Sequence, residues 1–177
     1  MNLKEIISQR IGLSTISSIL GFVQGNNLRK QELYDLCFDS NDRISYQAAW
    51  IMTHYSSADN RWLYTKHDEL INLAMRCEHI GKRRLFLTIL FRQPFLEPLR
   101  ADFFDFCMQG ILARKEPLAI QSLCMKLAYA MCCTTPELHD ELRSTIQLLD
   151  GDLSPAVRSA KNSILKAMAK GSSLQVL

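Results

Sequence analysis

Helix-starting signals recur along this chain about every 35–40 residues. Ser40-Asn41-Asp42 offers a capping side chain, Gly81 precedes Lys82, and Pro117 and Pro155 follow Glu116 and Ser154. From these signals helices start at about 42, 82, 117 and 155. A unit of that length holding two helices cannot bury its apolar stripe alone. It must stack on its neighbours, so the period predicts a repeat architecture rather than a sheet.

Apolar positions spaced three and four residues apart fill the intervals. Ile120, Leu123, Cys124, Leu127 and Met131 form one stripe, Leu138, Leu142, Ile146 and Leu149 another, and Val157, Ala160, Ile164 and Met168 a third. Leu70, Leu73, Ala74 and Cys77 form a fourth, and Leu33, Leu36 and Cys37 a shorter one. Residues 85–91 (LFLTILF) are apolar nearly all round, which places that helix in the middle of a stack, covered on both sides. The reading is about ten helices: 2–10 and 13–24 as a capping pair, then 28–38 with 42–56, 63–77 with 82–92, 99–113 with 117–132, and 137–149 with 155–169. Short links make the members of each pair antiparallel. One domain is expected over 1–170, followed by a flexible tail at 171–177.

Residues 154–161 (SPAVRSAK) resemble the start of a second helix of a HEAT repeat: a capper, Pro, Val-Arg, then small residues. Residues 116–123 (EPLAIQSL) and 41–52 (NDRISYQAAWIM) are weaker copies, and 82–92 keeps only basic and apolar character. The resemblance to the HEAT/armadillo-like family covers about 28–170. It implies an all-α, right-handed α-α superhelix, a HEAT-like solenoid of about four hairpins, with the second helices on the concave face. A non-solenoid helical bundle is the alternative.

Composition narrows the functions. Apolar residues make up 47% and charged residues 22%, as in a globular chain, with only 7 Gly and 5 Pro for turns. No apolar run is long enough to span a membrane. Ile11 to Val23 is moderately apolar, but Glu5 lies in the segment before it and Ser and Thr interrupt it, so it reads as a helix closing one end rather than a targeting segment. The six cysteines show no C-x-x-C or zinc-finger spacing and mostly fall on apolar stripes, which reads as reduced core thiols in a cytoplasmic protein; only Cys132–Cys133 invites a redox test. No phosphate-binding glycine loop, nucleophile elbow or H-E-x-x-H is present, the four histidines lie far apart, and the paired acids, among them Asp102/Asp105, Asp140/Glu141 and Asp150/Asp152, sit at helix starts or on polar faces. No cofactor and no metal are expected, and no enzyme activity.

One charged segment stands out. Between Arg76 and Arg100, Lys82, Arg83, Arg84 and Arg92 join those two against Glu78 and Glu97 only, in a chain whose formal net charge is +3. On a concave face this cluster is expected to line up with Arg43, Lys126, Arg158 and Lys161, a stripe suited to phosphates or an acidic partner. The opposing reading is a solvated helix start whose arginines bridge to acids of the next unit. Trp62 is the aromatic candidate for a contact surface, whereas Trp50 and most of the phenylalanines read as core. The expected function is a protein- or peptide-binding scaffold acting as a monomer or weak homodimer, without a membrane role. A nucleic-acid-binding module using the Lys82–Arg84 stripe is the first alternative, and a small enzyme with an unrecognised site the second.

Overall fold

Three of the four second helices begin at a side chain that accepts from an open N–H group. Asn41 caps α4 (Asp42–Met52) through its carbonyl oxygen, which accepts from the Arg43 N–H at 3.0 Å. Ser154 caps α11 (Pro155–Lys170), accepting from the Val157 N–H at 3.3 Å with Pro155 in the first turn. Pro117, expected inside the first turn, is instead the extended residue before α9 (Leu118–Thr134). The cap of α7 (Ile80–Phe91) was not legible beforehand: His79 Nδ1 accepts from the Lys82 N–H at 3.2 Å.

Gly81 therefore does not separate helices but lies within the first turn of α7. A Cβ there would stand 3.0 Å from the Tyr46 ring, so the missing side chain lets α4 and α7 approach.

The computed structural model describes residues 2–113, 116–149, 151 and 153–177, and among them every regular element is helical. Two layers result. In the second layer α1 (Leu3–Ser8) packs on α4, α4 on α7, α7 on α9 and α9 on α11. The first layer runs through α2 (Leu13–Val23), α3 (Asn27–Asp35), α5 (Ser57–Asn60), α6 (His67–Arg76), α8 (Ala101–Leu112) and α10 (His139–Gln147). Within it α2 packs on α3, α6 on α8 and α8 on α10, while α6 covers α7 and α8 covers α9. The apolar α7 lies in mid-stack as its composition requires: Leu85, Phe86, Leu87, Ile89 and Leu90 are buried between α4, α6 and α9.

Several first-layer helices are shorter than their stripes suggest. The expected 63–77 helix is divided between a 3₁₀ turn over Arg61–Lys66 and α6, and the short α5 precedes it. Leu36–Phe38 and Pro136–Leu138 are also 3₁₀ turns, and α4 ends at Met52 rather than near 56. Arg92 explains that last boundary. Its guanidinium donates to the carbonyls of Thr53 at 2.8 Å and Tyr55 at 2.6 Å, satisfying groups that a longer helix would have paired itself.

At the other end, Gly171 adopts the left-handed conformation (φ 62°) and Ser172 N–H donates back to Ala167, closing α11. Residues 171–177, expected to be a flexible tail, are tied to the stack. Tyr129 donates to Ser172 at 2.7 Å, Leu174 packs on the core, and the Gln175 amide donates to the carbonyls of Phe91 and Gln93, both at 2.8 Å. The tail thus crosses from the end of α11 over α9 to the end of α7.

Helices α8 and α9 approach closely at Gly110, where an added Cβ would stand 2.7 Å from Cys124 Sγ. Gly110→Ala gains about 1 kcal/mol of helix propensity but overpacks a buried contact, which costs about 1–3 kcal/mol. Urea unfolding should show Gly110→Ala net destabilised and a favourable coupling with Cys124→Ala, which removes the clashing sulfur. Strict additivity of the two substitutions would show that the helices part freely here.

Candidate functional site: the second-layer face

Charge divides between the two layers. In the second layer, α7 carries Lys82, Arg83 and Arg84, α9 Lys126, and α11 Arg158, Lys161, Lys166 and Lys170. To these α4 adds Arg43 and the sole carboxylate of those four helices, Asp42. The first layer is the reverse: Glu32, Asp35, Asp59, Asp68, Glu69, Asp102, Asp105, Asp140 and Glu141 outnumber Arg29, Lys30, Arg76 and Arg143 on its α-helices. The Asp150/Asp152 pair lies outside the described residues.

The residues singled out in the sequence meet different fates. Lys82 reaches across to α4, its ammonium 2.7 Å from Asp42 Oδ1 and 3.2 Å from Ser45 Oγ. That hydrogen bond and charge hold the Asp42 carboxyl below its usual value. Arg83 donates to the Cys77 carbonyl and, at 2.9 Å, to Glu116 before α9, bridging two units. Arg92 is the cap of α4 described above. Arg100 is held by Asp102 at 2.6 Å, by Asn72 and by Asp68. Arg158 is exposed and donates to the Leu153 carbonyl at 3.1 Å, and Lys161 closes the end of α10 through the Leu149 carbonyl at 2.9 Å.

Four of the six basic residues of the cluster, Lys82, Arg83, Arg92 and Arg100, thus form an internal brace between units. Arg84, exposed on α7, Lys126 on α9 and Lys166 on α11 have no ion-pair or side-chain hydrogen-bond partner among the described residues. Trp62 lies elsewhere, in the 3₁₀ turn of the first layer. It is half-buried and edge-on to Tyr34 with ring centroids 6.1 Å apart, so the fold does not bring it to the basic stripe.

At the start of the second layer the structure joins Arg43, a candidate from the sequence, to residues that sequence reasoning left out. Arg10, Ile11, Arg43, Tyr46, Gln47 and Trp50 line a cavity of about 320 Å³. Gln47 fixes its floor: the buried amide donates to the carbonyls of Ile7 and Gln9, both at 2.6 Å, and its oxygen accepts from the Ile11 N–H at 2.9 Å. Those bonds close the end of α1 and clamp the link between α1 and α2 onto α4. Trp50, expected in the core, is half-buried on this wall and meets His54 edge-on. A signal was available, since Arg43, Tyr46 and Trp50 share one face of α4 by their spacing.

Nothing in this arrangement supplies an activated nucleophile. Burial pushes the Cys132 thiol up to about 12, and the exposed Cys133 is also raised, again by desolvation. Among the described residues no three of His, Cys, Asp and Glu are grouped to hold a metal ion, and no helix is long and apolar enough to cross a membrane.

Two stacked layers of antiparallel helices, with a repeated capped second helix, define an α-helical repeat protein. A family model for the HEAT repeat domain matches residues 3–168, and the chain belongs to that family. No curated protein and no solved structure matches it.

Proposed function

We propose that this HEAT-repeat chain is a non-catalytic scaffold whose second-layer face, the concave side of the stack, binds an acidic protein or peptide segment. The observation that carries this reading is the division of charge: basic side chains dominate the second layer and carboxylates the first. Lys82, Arg83 and Arg92 are committed to the stack itself, so the contact residues are those with free donors, led by Arg43, Arg84 and Lys126. About one free cation per helix suits a chain of spaced carboxylates. Duplex DNA presents one charge per about 1.7 Å of axis, a far denser array.

The test compares two charge-reversed variants for capture from nuclease-treated lysate. Arg43→Glu/Arg84→Glu/Lys126→Glu should lose the polypeptides retained by the wild type, and Glu32→Lys/Asp105→Lys/Glu141→Lys should keep them. Equal loss in both would remove the second-layer face from the account. Capture that disappears with nuclease treatment would move the assignment to nucleic acid.

A further inference from the structure

The cavity at the head of the second layer combines two features. The first is donors without a task. Arg10 is exposed with no ion-pair or hydrogen-bond partner among the described residues, and Arg43 has only a 3.5 Å contact with the Ser8 carbonyl. Arg83, Arg92 and Arg100, by contrast, each spend two or more donors inside the protein. The second feature is uncovered aromatic surface. Tyr46 and Trp50 are half-buried, and among the described residues no cation lies over either ring, although Phe22 is covered by Arg29 and Tyr34 by Lys66. The walls are held in place, the floor by Gln47 and the Tyr46 ring by α7 at Gly81. Arg84 lies one turn beyond Gly81 on the same face of α7, outside the cavity lining but on the helix that packs against Tyr46.

We infer that this cavity is the anchor subsite of the scaffold: it takes a bulky aromatic residue of an acidic peptide between Tyr46 and Trp50, with neighbouring carboxylates held by Arg10, Arg43 and Arg84. The inference rests on the reading of the second-layer face as the acidic-partner site. A volume of about 320 Å³ accommodates one aromatic side chain. Guanidinium forks meet carboxylates in bidentate geometry, and their charge is worth most beside a low-dielectric wall. Spacing favours a peptide. Packed helices lie about 8–10 Å apart, and a polyproline-II chain advances about 9 Å per turn of three residues, which returns every third side chain to one face. Carboxylates at every third position then step from α4 to Arg84 on α7 and Lys126 on α9.

The experiment uses Trp50 as the reporter. The chain has two tryptophans, so Trp62→Phe leaves only Trp50. This protein is titrated at low salt with a random glutamate–tyrosine copolymer, with polyglutamate of equal length and with oligo(dT), exciting at a wavelength selective for tryptophan. The copolymer is expected to bind at least tenfold tighter than polyglutamate and to change Trp50 emission. Arg10→Glu and Arg43→Glu, both at exposed positions, should each remove that preference while leaving the circular dichroism and thermal midpoint unchanged. If copolymer and polyglutamate bind alike and Trp50 emission stays constant, the cavity is no anchor while the acidic-partner face stands. If neither polymer binds, the face itself is wrongly assigned. Tighter binding of oligo(dT) than of the copolymer would overturn both in favour of nucleic acid.

Discussion

Replacing Lys30 with methionine should cost about 3–5 kcal/mol of stability, the cost of leaving a buried charge alone. The Lys30 ammonium on α3 lies 2.6 Å from Asp59 Oδ1 on α5, with both residues buried. Asp59 also accepts from Ser56 Oγ at 2.9 Å and from the Gly25 N–H at 3.4 Å. One carboxylate therefore joins the turn after α2, helix α3 and the start of α5. Burial pushes the Asp59 carboxyl up, but Lys30, Ser56 and Gly25 together outweigh it and hold the group below its ordinary 3.8.

A depressed pKa contributes stability above the unfolded value that is lost as pH falls through the folded one. Without Lys30 the carboxyl is pushed upward instead, so acid neutralises the stranded charge. The gap between wild type and Lys30→Met should accordingly narrow as pH drops towards and below about 4. In thermal unfolding at neutral pH it corresponds to roughly 6–20 °C for a chain of this size. A gap that is constant down to pH 3 would show that the pair does not control the stability of this end.

Phe103→Ala should be of similar size, about 3–5 kcal/mol, for a different reason. Phe103 on α8 is fully buried and stacks on Phe95 at 6.2 Å and Phe106 at 6.1 Å, and Phe95 meets the His67 ring edge-on at 5.1 Å. The phenyl ring thus fills the junction between the α6–α7 and α8–α9 hairpins. In a stack where each unit contacts only its neighbours, a cavity at such a junction weakens the coupling between halves as well as the total. Denaturant unfolding of Phe103→Ala should lose cooperativity, with a lower m-value or two phases, whereas Phe103→Leu should keep a single transition at a smaller cost. A sharp single transition for the alanine variant would place the coupling elsewhere.

The repeat was legible because it is written in backbone requirements. Caps at Asn41 and Ser154, Pro155 in a first turn and the all-round apolar α7 each have one local solution, and the fold adopts it. What escaped depends on partners distant in sequence. The end of α4 is set by Arg92, the closeness of α4 and α7 by Gly81, and the docking of the tail by Gln175, none of which a helical stripe reveals.

The proposed site was legible in the same partial way. Local density of basic residues pointed to Lys82 and Arg83, which pairing with Asp42 and Glu116 occupies. The free donors are scattered one or two per helix, and stacking of α4, α7, α9 and α11 brings them into one layer. Arg10 went unnoticed because the Gln47 clamp that brings its loop against α4 spans about 40 residues of sequence.

Opposite charge on the two layers also has a kinetic meaning. A molecule with cations along one side and carboxylates along the other turns in the field of a charged partner before touching it, so fewer encounters are wasted on the wrong side. Orientation of this kind raises the association rate far more than it slows release, and salt removes it within a Debye length of about 10 Å at 0.1 M. The arrival of a partner, more than its hold, is what ionic strength should govern for this protein.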